Sequence, residues 1–549
     1  MIIESFGEKK EFKDNETVLN ILKKFKPYEY KNYMCAVVNG SLYELTFFVK
    51  GDSKIEFLDL KNSDACYVYQ ASLRFLISYA LHELFPDSKV IYNYSISRSL
   101  FAQPVGIKRK IDFDFIELLK NKMNELIAKD LPINRVVLSH DDAKKIYESE
   151  GLKTKYDLID YRESDNVNSY ELNGYYNYMH NYLVPSTGFI DKFRLNLYTP
   201  GIIIQYPRAE LNGNIPKFVN ETVLGKYLKD ANKWGNITGA AYISEFNKIV
   251  ETGNSGELIN LCETKHNNLL AELGQNIKND IENIKLICVA GPSSSGKTTF
   301  TNRLRIELTS LGIKPLMISI DNYYKTEGNY PLDEDGKPDY EHIDALDVEL
   351  FNEQIFKLIE GDEVSLPIFN FKTHEREFQS PIRLEKNQPI MIEGIHALND
   401  DLSHSIPGDN KYRIYIAPQS QLHIDAETPI SMTDVRLLRR LVRDYRDRNS
   451  DPRKTIEMWP SVRRGEFRWI YPYQEQADFV FNSELSYELG VLKKPAMEIL
   501  SKISKDYKEY FVAHRLLNIL KYIKPIDSKW VPCNSILREF IGGSIFYEK

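Results

Sequence analysis

Three groups of residues in this 549-residue chain have the types and spacing to do chemistry. The first is GPSSSGKTT, Gly291–Thr299, which fits G-x-x-x-x-G-K-[ST]. Gly291 and Gly296 let the backbone curl, so the N–H groups of Ser293, Ser294 and Ser295 and of the helix that follows can face anionic oxygens. Lys297 can reach terminal phosphates, the Thr298 hydroxyl can hold Mg²⁺, and Thr299 opens the helix behind them. The second group is a pair of carboxylates. Asp321 ends MISID and Glu393 ends PIMIE, and strand ends are where ligands bind in open α/β sheets. One such carboxylate can accept the proton of an attacking hydroxyl while the other steadies Mg²⁺. Either alone also suits an N-cap or a surface turn. Together, downstream of a phosphate cradle, they point to phosphoryl transfer onto a small molecule. The third group is TDVRLLRRLVRDYRDR, Thr433–Arg448. On a helix, Arg436, Arg440 and Arg443 share one face, with Arg439 beside them. Asp434, Asp444 and Asp447 dilute the charge, so an ion-paired solvated helix is the plain alternative. After a phosphate cradle the arrangement reads as a lid whose guanidinium groups fork onto phosphate oxygens.

A parallel α/β sheet would bring these groups together. From Ile284 onward the apolar segments KLICVA, KPLMISI, QPIMIEG, YRIYIA and ADFVFN alternate with helical runs, the mark of such a sheet. KLICVA leads into the cradle and TTFTNRLRIEL leads out of it, the strand–loop–helix context a phosphate loop requires. A GTPase would need a guanine-reading N/T-K-x-D after the loop. The one match, TKYD at Thr154–Asp157, lies far upstream, which argues against that class.

Length and composition set outer bounds. The chain is too long for one hydrophobic core, so three or four domains are expected. Its net charge of −7 argues against coating nucleic acid by bulk charge, though a local basic groove stays open. Cys35, Cys66, Cys262, Cys288 and Cys533 are scattered without a CxxC pair, which fits a reducing cytoplasm and offers no zinc or disulfide framework. No apolar run of 18 residues predicts a membrane span, and MIIESFGEKK lacks the apolar core of a secretory signal.

Further motifs carry a resemblance. GPSSSGKTT, SIDNYY (Ser319–Tyr324), DYEHIDALD (Asp339–Asp347), PIFNFKTHER (Pro367–Arg376), IEGIHAL (Ile392–Leu398) and RRLVRDYRDR (Arg439–Arg448) occur in the order found in the uridine kinase/phosphoribulokinase group, which the C-terminal half resembles. The resemblance implies a P-loop α/β kinase with a lid that uses ATP and Mg²⁺. It implies transfer of the γ-phosphate to a primary hydroxyl, the 5′-OH of uridine or cytidine in the closest branch. Asp321 then looks like the general base, Lys297 and Thr298 like the phosphate and Mg²⁺ residues, and Glu393 like a second metal-side carboxylate. Tyr324 would line the nucleoside pocket and His374 would meet the pyrimidine edge. Arg440, Arg443 and Arg448 would serve the ribose and phosphate sides. Departures fall on the acceptor side. Glu341 stands where that branch has a ribose-holding Asp, Phe369 and Asn370 replace a Tyr-Asp pair, and Met458 aligns with a base-contacting Gln. Lost hydroxyl and amide groups weaken discrimination between bases, so a relaxed or different acceptor is expected.

The front half resembles another protein. Met1 to about Leu60, with VVNGSLYEL, looks like the β-grasp TGS domain of threonyl-tRNA synthetases. About Asn62 to Arg208, with SLRFLISYALHELFP, is similar to the editing domain that follows it there. The editing residues are missing: Ala71 and Phe75 stand for two histidines, and Met179 and Leu183 for a Cys–His pair. His82 and His180 remain nearby, as ordinary histidines. A degenerate binding or regulatory module is expected, with RNA contact by analogy alone.

The expected organisation is a TGS-like β-grasp unit over 1–60 and an editing-like α+β unit over 61–208. A helical connector over 209–283, a P-loop kinase over 284–485 and a helical tail over 486–549 follow. The leading expectation is a cytoplasmic, ATP- and Mg²⁺-dependent nucleoside kinase with a small-molecule acceptor. A phosphoribulokinase-type sugar or sugar-phosphate kinase and an ATP-switched RNA-binding regulator are the alternatives.

Overall fold

The computed structural model describes residues 1–546 apart from 327, 334–335, 371–372 and 420–421; the last of these gaps but one falls inside the PIFNFKTHER motif. In the first sixty residues the strands are ordered Glu8–Glu11, Ile2–Ser5, Ser53–Asp59, Tyr33–Val38, Ser41–Glu44. Ile2–Ser5 runs parallel to Ser53–Asp59 and antiparallel to Glu8–Glu11. Phe6 and Gly7, both at positive φ, make the tight turn of the first hairpin, whose twist matches that of the strands. Helix Val18–Phe25 crosses this sheet, started by Thr17, whose side chain accepts from the Asn20 amide. Over SKIEFLD the strand Ser53–Asp59 begins by alternating buried and exposed residues, as a half-buried strand should.

Helix Ser63–Leu84 follows. The apolar pattern places its start at Tyr69, six residues late. Asn62 caps the true start by accepting from the Asp64 and Ala65 amides, and the helix is buried on most sides, so no amphipathic stripe marks its first turns. Beyond it lie a four-stranded sheet (Arg194–Tyr198, Gly201–Gln205, Ser99–Val105, Lys89–Ile96) and a three-stranded one (Asn134–Ser139, Asn166–Leu172, Tyr175–Asn177). Three helices, Thr222–Thr238, Ile243–Glu251 and Ser255–Asn279, lead to the C-terminal half.

All five expected strands there form one parallel sheet: β1 (Leu286–Ala290), β2 (Leu316–Ser319), β3 (Ile390–Glu393), β4 (Lys411–Ala417) and β5 (Phe479–Asn482), in the order β2-β3-β1-β4-β5. Every residue of central β1 is buried, which is why it reads as an unbroken apolar run. Its residues alternate between two cores. Ile287 and Val289 join the core that holds C-terminal residues such as Leu520, Ile536 and Phe540. Leu286, Cys288 and Ala290 join the core that includes Tyr94, Ile96 and Phe101 of the front half. The sheet is thus covered on one face partly by the front half and on the other partly by the chain's own tail. Helix α1 (Lys297–Ser310) follows β1, and α2 (Met432–Arg448) and α3 (Pro452–Trp469) run consecutively after β4.

A short hairpin, His423–Asp425 with Thr428–Pro429, carries Glu427 into the front half. Its buried carboxylate pairs with Lys155 and accepts from Ser78 Oγ (2.6 Å) and Asn177 Nδ2 (2.8 Å). Its carbonyl accepts from Arg74 at 2.7 Å. No described helix is long and apolar enough to cross a membrane.

Candidate active site

The cradle residues sit between β1 and α1. Gly291 has no room for a side chain, since a Cβ would stand 2.0 Å from the Ile416 carbonyl oxygen. Gly296 caps α1 at φ +88°, a conformation costly for other residues. The loop's carbonyls are held by cations. Lys297 Nζ donates to the Gly291 and Pro292 oxygens (2.9 and 3.2 Å), Arg436 to the Ser293 oxygen (3.2 Å) and Arg439 to the Ser294 oxygen (3.3 Å). With carbonyls so engaged, the amides are the groups left for an anion. The hydroxyls of Ser294 and Ser295 are buried without a protein partner, and Thr298 is exposed on the first turn of α1. These features suit a bound phosphate chain. Two amides are engaged by the protein itself: Ser295 N donates to the Pro292 carbonyl at 3.2 Å and Thr299 N to Glu539 Oε2 at 3.1 Å.

Asp321 lies in the 3-10 turn Ile320–Tyr323 directly after β2. Its residue surface is open to solvent, but it stands in a crowded cleft. That crowding pushes its carboxyl up, against the pull of Lys297 and Arg448. Burial and the Asp321 charge push Glu393, at the end of β3, to about 7. Burial and Glu466 push Glu341 to about 7, with Arg440 and Lys297 opposing. Lys297 therefore acts on all three carboxylates. Among the described residues no three acidic, histidine or cysteine side chains form a ready-made metal cage. Mg²⁺ needs fewer, because it usually takes one or two carboxylates along with substrate phosphates and water. Asp321 and Glu393, close enough to act on one another and on Lys297, fit that manner of binding.

The arginine helix, α2, divides its labour. Arg436 forms a buried fork with Glu466 (2.7 Å for its second arm), and Arg439 forms another with Glu488 (Nε–Oε1 3.1 Å). These two side chains fasten α2 to α3 and to the tail while gripping the loop. Arg440, Arg443 and Arg448 share the single Asp444 carboxylate at 3.2, 2.9 and 3.6 Å, which leaves a surplus of positive charge. Arg440 also donates to Ser293 Oγ at 3.0 Å, and Arg448 is the most exposed of the three. The arginines thus divide, with Arg436 structural, Arg440 acting on Glu341 and Arg448 on Asp321, and Arg443 held by Asp444.

On the acceptor side the rings of Tyr324 and Phe369 lie 5.8 Å apart, and Phe369 meets His374 edge-on at 6.1 Å. Tyr330 approaches His374 at 6.4 Å and Tyr340 at 5.0 Å. Tyr324 Oη donates to the Tyr340 carbonyl at 2.9 Å. Its phenol is held well above its ordinary pKa by burial and by the Asp321 carboxylate. Glu341 packs against Gly465 of α3, where a Cβ would come within 2.4 Å of Glu341 Cβ. Met458, on the same helix, is half exposed. In the front half Ala71, Phe75, Met179 and Leu183 are all buried in the core.

Several residues of this site escape sequence reasoning. Glu466, Glu488 and Glu539 lie outside any motif, and nothing local marks the first two as partners of Arg436 and Arg439 or the third as a partner of the Thr299 amide 240 positions earlier. Gly465 could have been noticed as a glycine inside a helical pattern, which often means close approach of a neighbour.

Comparison with known proteins covers the C-terminal half. The profile of the family described as phosphoribulokinase / uridine kinase matches residues 286–487. A uridine kinase of Borrelia duttonii is 30% identical over 225 residues, which span 40% of this chain and 98% of that protein. A uridine kinase of Anoxybacillus flavithermus is 31% identical over 196 residues, 36% of this chain and 84% of that one. Among solved structures, a possible uridine kinase from Bacillus stearothermophilus is 17% identical, at a TM-score of 0.26, over 36% of this chain and 89% of the other.

Proposed function

The chain belongs to the phosphoribulokinase/uridine kinase family, and on that premise we propose that it transfers the γ-phosphoryl group of ATP to the 5′-hydroxyl of a nucleoside. One observation carries the reading: Asp321 and Lys297 influence one another at the end of the sheet, and Tyr324 and Phe369 present rings beside Asp321. A proton acceptor, a phosphate cation and a planar pocket thereby converge.

In this reading the loop amides and Lys297 bind the phosphate chain. Thr298, Glu393 and Asp321 would hold Mg²⁺, which neutralises phosphate charge when bound. Asp321 takes the proton of the acceptor hydroxyl as its oxygen bonds to the γ-phosphorus and the bond to the bridging oxygen breaks, releasing ADP. Arg440, Arg443 and Arg448 carry more positive charge than Asp444 cancels, and they stabilise the charge that builds on the transferred group. Tyr324, Phe369 and His374 surround the base, and Glu341 is placed to accept from ribose hydroxyls. Phe369 and Met458 give the pocket fewer discriminating hydrogen bonds than a Tyr and a Gln would, so several nucleosides are accepted. We read residues 1–208 as a TGS-like and editing-like binding module without hydrolytic chemistry, since its four key positions hold buried apolar side chains.

The test is a panel of nucleosides, pentoses and pentose phosphates incubated with ATP and Mg²⁺ and read by mass spectrometry for a gain of one phosphoryl group. Nucleoside monophosphates are the expected products. Turnover of a pentose phosphate alone would move the chain to the sugar-phosphate branch, and ADP release with no phosphorylated acceptor would defeat the kinase reading.

A further inference from the structure

Between the front half and the kinase sheet lies a cavity of about 720 Å³, within the size range of small-molecule sites. It touches the phosphate loop at Pro292 and α2 at Arg436, but Lys297, Thr298, Asp321 and Glu393 do not line it. Seven lysine or arginine side chains border it, against three carboxylates. Those carboxylates are engaged. Glu221 accepts from the Ser97 amide (2.9 Å), Glu475 from the Val223 and Leu224 amides (3.0 and 2.9 Å), and Asp434 pairs with Arg515. Arg74, Arg98 and Lys217 have no ion-pair partner among the described residues. Arg74 is 5% exposed and its Nε is unpaired, as are the buried Asn93 amide nitrogen and the Tyr94 hydroxyl in the same wall. Buried cations and orphaned donors are costly unless something completes them.

The walls are also aromatic. Arg98 sits at the turn between Lys89–Ile96 and Ser99–Val105, at φ +56°. From there its guanidinium lies 4.0 Å from the centre of the Phe467 ring, with Arg463 at 4.7 Å from the same ring. Tyr206 and Tyr471 also line the cavity. Surplus guanidinium charge selects a phosphorylated ligand. The rings already carry arginines, Arg98 and Arg463 on Phe467, Arg463 on Tyr471 and Arg208 on Tyr206, and guanidinium planes of this kind accept a stacked base.

We propose that this junction cavity is a second nucleotide site, which takes a nucleoside phosphate bound by Arg74, Arg98 and Lys217 with its base against the arginine-covered aromatic wall. Its occupant touches Arg436, the side chain that holds the Ser293 carbonyl, so it bears on the phosphate loop from outside the donor site. The proposal does not depend on which acceptor the kinase uses.

Hydrogen-exchange mass spectrometry on the full chain tests it, with UTP, a non-hydrolysable ATP analogue and inorganic tripolyphosphate as probes. At least one of the two nucleotides is expected to slow exchange of residues 89–105 about fivefold or more, while tripolyphosphate does not. Arg98→Gly, which suits the positive φ of that turn, is expected to abolish this protection and leave protection of residues 286–310 by the ATP analogue in place. Nucleotide protection confined to residues 286–310 would overturn the second site and spare the donor site. Equal protection by tripolyphosphate, or protection that survives Arg98→Gly, would overturn it as well. No protection anywhere would overturn both sites.

Discussion

The Glu539 carboxylate accepts a hydrogen bond from the Thr299 amide at 3.1 Å, across 240 positions of sequence. The amide lies in the first turn of α1, where backbone N–H groups have no partner within the helix. The carboxylate therefore occupies a donor that a phosphate chain would use, and it comes from a segment whose Ile536 packs on Gly296. A negative charge placed there opposes an incoming polyphosphate.

Removing that charge should tighten nucleotide binding. Glu539→Gln is expected to lower the Kd of a non-hydrolysable ATP analogue about tenfold, ~1.4 kcal/mol, in calorimetry at low salt. An unchanged or higher Kd would mean that the carboxylate supports the donor site rather than competing for it.

Asp321→Asn separates binding from chemistry. The amide keeps the shape but cannot take a proton, so phosphoryl transfer should fall by roughly 10²–10⁴-fold. The Kd for the ATP analogue should stay within about twofold. Transfer near the wild-type rate would remove Asp321 from the role of base.

The site carboxylates should weaken the fold as they ionise. Glu341 and Glu393 are raised to about 7 from an ordinary 4.5, by burial first and by neighbouring carboxylates next. Their contribution to stability is full below about pH 4.5 and is lost as pH rises through about 7. Glu341→Gln should accordingly raise Tm at pH 8 relative to wild type and have little effect at pH 5. A Tm shift of equal size at both pH values would contradict the argument.

Glu427 behaves in the opposite sense. Burial raises its pKa, but Lys155, Ser78 and Asn177 outweigh burial and hold it below 4.5. Its stabilisation is present above about pH 4.5 and fades as pH falls through the lowered value. Glu427→Ala would leave Lys155 as an uncompensated buried cation and should cost about 3–5 kcal/mol, read by urea unfolding at pH 7. Lys155→Met combined with Glu427→Gln should recover part of the loss, because no buried charge is then left alone.

Local sequence determined the parts of this protein that depend on residues close together in the chain. The cradle is such a part: two glycines, a lysine and a threonine at fixed spacing between an apolar strand and a helix specify a tight strand–loop–helix turn. The five strands of the parallel sheet are another, because segments buried on both faces must be continuously apolar. Asp321 and Glu393 were legible as strand-end carboxylates for the same reason. What the tertiary structure decided are the pairings between distant segments. Arg436 and Arg440 sit four residues apart on one helix, yet Arg436 is fixed by Glu466 and Arg440 is left near the cleft. Helical spacing alone cannot distinguish them. The seat of Glu427 among front-half residues, the reach of Glu539 to the cradle and the junction cavity likewise depend on how separately specified elements pack. Packing is set by the shapes and charges of surfaces that meet only once the chain has folded.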